Sequence, residues 1–493
     1  MTHIIGIDIG TTNTKAIAFT QGGEVLASAG VSYGAFTDAQ GRHELDPDRL
    51  LAAVVSVLTE TAGRTAGMEG LAGVSLSAAM HSLIAVDREG RPLTMAITWA
   101  DLRSKAYAES LRGTAPGKRI YQRTGTPIHA MSPLCKLLWL KDTQPAIFEK
   151  GTRFISIKEY IWWRLFGKYQ VDHSIASATG LFDIYLFDWY AESLALAGIQ
   201  ADRLSAPVPC THTESTLTAP FQGIPGLPEG LPFIIGGSDG CLANLGSSAV
   251  SPGETALTIG TSGAIRMTAD APKHDAKERI FNYILTKDRY VSGGATNNGG
   301  NAVQWYIDHF SGKAVTGPAD TSDFMTEADK APPGSEGLVF LPYLQGERAP
   351  VWNAAARGVF FGIRSVHEQR HFIRAVLEGI CYSLFQVGLS LEETIGPIRH
   401  IYASGGFTRS KSWLQMVADI FNKKVYVTGV ADASAIGAVM MGWVALGMAG
   451  SLEEAAGVIR VQESYEPDED RHRIYRANFE VYAVLYDRLK DLM

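Results

Sequence analysis

The sequence predicts an α/β protein of two domains, and three observations carry that prediction. Strand-like and helix-like segments alternate along the first half of the chain. A strand, a glycine turn and a second strand occur twice, around Gly10 and around Gly260, half a chain apart. The length, 493 residues, gives room for two or three domains with large cores.

The elements follow in order. Ile5, Ile7 and Ile9 share one face of an opening strand that runs into Gly10-Thr11-Thr12 and Asn13-Thr14-Lys15, and Ala16–Phe19 forms the return strand. Gln21-Gly22-Gly23-Glu24 turns the chain into Val25–Ala27. Asp46 caps a helix that starts at Pro47 and runs to about Arg64. Leu71–Ser77 and Leu83–Val86 read as strands. Prolines and glycines gather between Pro220 and Pro232, and the short apolar strand Phe233-Ile234-Ile235 then delivers Gly236-Gly237-Ser238-Asp239-Gly240. The domain boundary falls near residue 250, giving domains 1–249 and 250–493. In the second domain Ala256–Ile259 runs into Gly260-Thr261-Ser262-Gly263, and Ala264-Ile265-Arg266-Met267 reads as a second apolar strand. Helices are expected over Asn298–Phe310, over Gln369–Leu391 and beyond Arg471, with a strand at His400–Ala403. Ala433–Leu452 carries no formal charge. Its glycines at 437, 442, 447 and 450 argue for a buried, close-packed helix over a membrane span.

Composition excludes several classes. The net charge of −7 leaves no basic face for a nucleic acid. The four cysteines are far apart with no Cys-x-x-Cys, as expected of free thiols in the cytoplasm. No basic n-region or signal core precedes the first strand.

The chemistry is expected at the strand ends. Both glycine turns leave backbone N–H groups uncovered, and Thr and Ser hydroxyls add donors, so two such turns facing each other would hold a polyphosphate. Asp8 beside the first turn reads as a water-mediated Mg²⁺ ligand or as a turn cap. Lys15 reads as a phosphate neutraliser or as a solvated strand residue. Asp239 sits on a shelf of small residues at a strand end, where it would accept a proton from an attacking hydroxyl; the plainer reading is a helix N-cap. Ser404-Gly405-Gly406, followed by Ser410, fits a purine lying on bare backbone, and Gly300 with Gln304 makes a similar weak signal. Met80-His81 and Trp99, Asp101 and Arg103 are polyol-binding candidates, against a core histidine and a surface ion pair over an aromatic. No Gly-x-x-x-x-Gly-Lys-[Ser/Thr] occurs, which excludes a P-loop enzyme.

These pieces, in this order, resemble the sugar-kinase family that includes glycerol kinase, xylulokinase and gluconokinase. The resemblance rests on Ile7-Asp8-Ile9-Gly10-Thr11-Thr12, Met80-His81, Trp99-x-Asp101-x-Arg103, Gly237-Ser238-Asp239-Gly240 and Thr258-Ile259-Gly260-Thr261-Ser262-Gly263. It extends through Gly300-x-x-x-Gln304-Trp305, Gly346-Glu347-Arg348-Ala349-Pro350 and Gly405-Gly406-Phe407-x-x-Ser410. Ser77–Ser82, Ile97–Asp101, Arg123–His129 and Ile157–Tyr160 look most like the bacterial gluconokinase branch. Ala79 and Ala100 stand where the xylulokinase branch tends to carry Gln and Asn.

The resemblance implies two actin-like, ribonuclease-H-like domains around an interdomain catalytic cleft. Residues 1–249 would bind the sugar and supply the base, and residues 250–493 the nucleotide. It implies Asp239 as base, with Asp8 and Asp239 on the Mg²⁺ side. Thr12, Lys15, Gly260 and Thr261 would surround the phosphates of ATP. Gly300, Gln304, Gly405, Gly406 and Ser410 would hold the adenosine. Met80, His81, Trp99 and Arg103 would touch a small sugar acid or polyol. A substrate carboxylate needs a cationic partner, for which Arg103 and Lys158 are candidates. The expected reaction is phosphorylation of D-gluconate. Another polyol or ketose, such as xylulose, is the alternative within the family, and a chaperone-like ATPase scaffold is the alternative outside it. A homodimer is compatible with the sequence, which does not set the oligomeric state.

Overall fold

In a computed structural model that describes residues 2–68, 70–310, 320–430 and 432–493, the chain builds two large sheets on one plan. The first has six strands in the spatial order Thr213–Glu214, Phe233–Ser238, Leu71–Ala78, His3–Ile9, Asn13–Thr20, Val25–Ser32. His3–Ile9 pairs antiparallel with Asn13–Thr20 across the Gly10 turn and parallel with Leu71–Ala78 on its other side. The second has seven strands, ordered Phe281–Thr286, Arg289–Thr296, Gly263–Ala269, Glu254–Ile259, His400–Ser404, Val425–Thr428, Val461–Tyr465. There Glu254–Ile259 pairs antiparallel with Gly263–Ala269 across the Gly260 turn and parallel with His400–Ser404. The duplication expected from two short motifs is therefore a duplication of topology, and the two units have the actin-like, ribonuclease-H-like architecture.

Local chemistry sets the element ends where the sequence places them. The first long helix is Pro47–Thr65; the Asp46 carboxylate accepts from the N–H groups of Asp48 and Arg49, and Pro47 occupies the first turn. The C-terminal helix Glu469–Leu489 buries Tyr475, Phe479 and Tyr482. Gln369–Thr394 is long and apolar enough to cross a membrane, yet 83% of its most apolar window is buried against the second sheet and its neighbours. All four cysteines are free and buried.

Two differences from the sequence reading share one cause. The opening strand alternates as if one face were wet, but Ile4 is as fully buried as Ile5. The helix Ala433–Ala445 covers the second face, crossing at Gly6, where a Cβ would stand 2.4 Å from the Ala435 carbonyl oxygen. The same helix lies against Asp239–Gly246 at glycines: a Cβ on Gly437 would meet the Leu242 oxygen at 1.9 Å, and one on Gly246 the Ala433 oxygen at 2.0 Å. The uncharged glycine-broken stretch is a close-packed helix, as its composition predicts. The two sheets draw on residues 3–238 and 254–465, while this helix returns from the second half of the chain to complete the core of the first unit.

Candidate active site

Three neighbouring parallel strands of the first sheet end on one edge. His3–Ile9 runs into the Gly10 turn, Leu71–Ala78 into Met80-His81, and Phe233–Ser238 into Asp239. Strand carboxyl ends are where open α/β sheets place ligands. Gly236 adjusts the last of these: its φ of 66° accompanies a register shift between Ile234 and Gly237, and a Cβ there would stand 1.8 Å from the Leu76 oxygen. Across the gap lies the Gly260 turn of the second sheet. A cavity of about 260 Å³ lies between them, lined by Thr11 of the first turn, Ser262 and Gly263 of the second, and Met80, His81, Trp99 and Asp239. A larger groove of about 1230 Å³ uses the other residues of the second turn, Gly260 and Thr261, with Gly300, Gln304, Gly406 and Ser410. The Gly260 turn is therefore a wall common to both.

Asp239 is free for chemistry because another residue caps its helix. Ser238 is the N-cap, its Oγ accepting from the Cys241 N–H, so the N-cap reading of Asp239 falls. Asp239 Oδ1 accepts from the Gly240 N–H at 2.6 Å. Burial raises its carboxyl above the ordinary range, and the Arg266 guanidinium opposes that rise most. Asp8 accepts a hydrogen bond from Ser77 Oγ at 2.8 Å. Burial, then the nearby Asp432 and Asp239 carboxylates, push Asp8 up to about 7.

His81 is held neutral. Burial, with Lys136 adding to it, pushes the imidazole down to about 3. Its Nδ1 stands 2.7 Å from the Ala178 carbonyl oxygen, which assigns the proton to Nδ1 and leaves Nε2 as an acceptor. Nε2 has only the Tyr283 hydroxyl, at 3.4 Å. Nε2 can therefore accept a further hydrogen bond from a hydroxyl group in the cavity. His81→Ala is expected to raise the acceptor KM about tenfold, the worth of one buried hydrogen bond, with kcat nearly kept. Steady-state kinetics check this; an unchanged KM would return His81 to a core role.

The turns hold together through backbone. The Gly300 N–H donates to the Gly260 oxygen at 2.7 Å, and a Cβ on Gly300 would stand 2.8 Å from that atom. Gly405, at φ 97°, packs behind the groove with its Cβ direction 2.5 Å from the Ile259 oxygen, so it shapes the groove without lining it. Gln304 Nε2 donates to Asp308 Oδ1 at 2.7 Å on the rim.

Profiles of known proteins agree with this arrangement. The N-terminal domain of the FGGY family of carbohydrate kinases matches residues 3–246, and its C-terminal domain matches residues 255–446. This chain belongs to the FGGY family of carbohydrate kinases. It is 41% identical to a gluconokinase of Bacillus subtilis over 99% of this chain and 96% of that protein. A xylulose kinase of the same organism is 30% identical, over 100% of this chain and 98% of the other. The solved gluconate kinase of Lactobacillus acidophilus superposes with a TM-score of 0.94 at 33% identity, covering 99% of this chain and 98% of that one.

Four residues of this FGGY kinase depart from the roles the sequence suggests. Arg103 does not line the cavity: Asp101 and Glu44 both ion-pair with it, at 2.7 and 2.5 Å, and its guanidinium lies 4.4 Å from the centre of the Trp139 ring. Asp101 and Arg103 form an ion pair, as the plainer reading has it, but a largely buried one over Trp139 and not a surface one, while Trp99 does face the cavity. Lys158 is 1% exposed, bonded to Asp172 and the Gly237 oxygen, and not on the cavity wall, so its charge is already matched away from a substrate carboxylate. Lys15 is paired with Asp432 at 3.0 Å. Thr12 is exposed in its turn, and its neighbour Thr11 takes the cavity position.

The sequence reading missed Asp432, Arg266 and Arg348. Asp432 caps the helix Ala433–Ala445, which brings it beside Asp8 from the far end of the chain. Arg266 was legible as a charge inside an otherwise apolar strand, and Arg348 as part of the Gly346–Pro350 motif.

Proposed function

We propose that this carbohydrate kinase transfers the γ-phosphoryl group of ATP to the terminal hydroxyl of D-gluconate, giving 6-phosphogluconate and ADP. The observation that carries the reading is the position of Asp239: it faces the small cavity whose wall, the Gly260 turn, also borders the larger groove. The higher identity to the gluconokinase than to the xylulose kinase supports gluconate over a pentulose.

Phosphoryl transfer proceeds through a loose transition state, so positioning and charge neutralisation supply most of the barrier reduction. Asp239 orients the acceptor hydroxyl and takes its proton as the new O–P bond forms. Its raised carboxyl suits that task better than an ordinary aspartate. The N–H groups and hydroxyls of the two turns, Thr11 on one side and Gly260, Thr261 and Ser262 on the other, hold the phosphate oxygens. Gly300, Gln304, Gly406 and Ser410 form the nucleoside end of the groove.

The donor set fits Mg²⁺. The Asp432 and Asp239 carboxylates lie near enough to raise Asp8, a grouping of negative charge that would favour a cation. Among the described residues no group of three or more His, Cys, Asp or Glu side chains converges on a metal site, so the rest of the shell falls to water and phosphate, as this ion prefers. Bound there, Mg²⁺ would neutralise phosphate charge.

An ADP-release assay over D-gluconate, D-xylulose, D-ribulose and glycerol tests the substrate, with gluconate expected to give the highest kcat/KM. Preference for a ketose would move the chain to the xylulokinase branch. The nucleotide groove has its own test. Nothing lies within 4 Å of a Cβ on Gly260, so Gly260→Val is compatible with the fold while crowding the groove. The expected result is an ATP KM raised about tenfold or more, from a steric cost of ~1–3 kcal/mol, at unchanged Tm.

A further inference from the structure

The small cavity carries more positive charge than its one acid balances. Asp239 is the only carboxylate on its wall, whereas Arg266 and Arg348 both line it. His81 is neutral there. The two guanidiniums come from separated parts of the fold. Arg266 projects from the strand Gly263–Ala269, and its Nε lies 3.1 Å from where a Cβ on Gly240 would be. Arg348 comes from the Gly346–Pro350 loop and stacks 4.7 Å from the centre of the Trp99 ring.

Neither is satisfied by protein. Arg348 is 9% exposed; its Nη2 donates to the Thr296 oxygen at 3.0 Å, and its Nε is buried without a partner. For Arg266 no hydrogen bond or ion pair within 4 Å is found among the described residues. Arg266 is half-buried and lines the cavity. Burial lowers both guanidiniums from their ordinary value, Arg348 to about 10; the Asp239 carboxylate opposes this at Arg266, and the Glu347 carboxylate opposes it at Arg348. A buried guanidinium nitrogen without an acceptor, as at Arg348 Nε, is costly. Two guanidiniums on the wall of one cavity suit an anion, and planar forks of N–H donors match a carboxylate.

We propose that Arg266 and Arg348 together hold the carboxylate of the sugar-acid acceptor, and that Arg266 makes this kinase select acids over neutral polyols. The assignment rests on the sugar-acid reading above. It replaces Arg103 and Lys158, whose charges are already matched. It also sets the direction of binding: the carboxylate end goes to the arginines and the far hydroxyl to Asp239. Arg348 is bonded to Thr296 and stacked on Trp99, so it anchors the site; Arg266 feels the Asp239 charge but makes no side-chain hydrogen bond among the described residues, and is the cleaner residue to change.

The experiment compares D-gluconate with D-glucitol, its analogue with CH₂OH in place of the carboxylate, in wild type, Arg266→Leu and Arg266→Lys. Wild type is expected to favour gluconate strongly. In Arg266→Leu the gluconate KM is expected to rise about a hundredfold, the usual scale for truncating one partner of a charge pair, and the preference for gluconate over glucitol to fall by a similar factor. Arg266→Lys is expected to recover part of the loss. A second measurement needs no variant: gluconate is expected to raise the wild-type Tm and glucitol, at equal concentration, to leave it nearly unmoved.

If wild type uses gluconate but Arg266→Leu loses gluconate and glucitol turnover equally, Arg266 acts on the phosphoryl group and the proposal is overturned while the gluconate reading stands. If wild type prefers another sugar acid and Arg266→Leu abolishes that preference over its alditol, the proposal holds and the gluconate reading falls. Wild type that shifts and turns over with neutral sugars as well as with their acids overturns the proposal outright.

Discussion

Asp239→Asn is expected to lower kcat by about two to four orders of magnitude while ATP still binds with nearly wild-type affinity. The substitution keeps volume and keeps an oxygen for the Gly240 N–H, whose bond at 2.6 Å orients the side chain. It removes the proton acceptor alone. Ser238 remains the cap, so the helix Asp239–Gly246 loses nothing. The nucleotide groove is lined by other residues and stays intact. ADP release gives kcat, and calorimetric titration with a non-hydrolysable ATP analogue gives the affinity. Turnover within tenfold of wild type would remove Asp239 from the chemistry.

Lys158→Met is expected to destabilise the fold by ~3–5 kcal/mol, the scale for stripping one partner from a buried ion pair. Lys158 and Asp172 are each 1% exposed, 2.8 Å apart. Asp172 also caps the helix His173–Ser177 through the Ile175 N–H. The ammonium group further ties down the Gly237 oxygen, two residues before Asp239. Removing it leaves a carboxylate in the core with no counter-ion. Converting Asp172 to Asn as well is expected to restore part of the loss, because the stranded charge is then gone. Urea unfolding reads both values. A stable Lys158→Met enzyme with a selectively raised gluconate KM would instead make Lys158 a substrate contact.

The local framework of this kinase was legible because it is written in short-range chemistry. The Asp46 cap, the Gly22-Gly23 turn and the apolar spacing of Gln369–Leu391 each act within a few residues, and the structure agrees at each. Asp239 was legible for a related reason: a carboxylate on a glycine-rich strand end has few structural uses. What the sequence hid is what depends on partners far along the chain. Lys15 looks like a phosphate ligand until Asp432 arrives beside it, 417 residues later. Lys158 and Arg103 look like free cations until the fold supplies Asp172, Asp101 and Glu44. Arg266 looked like part of an apolar strand, and only the fold places its guanidinium on the cavity wall across from Asp239. The helix Ala433–Ala445 was read as close-packed from its glycines, but not against which sheet, since glycine spacing records closeness and not its partner.

The most direct test is a crystal structure with a non-hydrolysable ATP analogue and D-gluconate bound together. The account predicts the terminal phosphate between the Gly10 and Gly260 turns and the far hydroxyl of gluconate within hydrogen-bond reach of Asp239. A nucleotide tail outside those turns, or an acceptor whose hydroxyls all point away from Asp239, would contradict it.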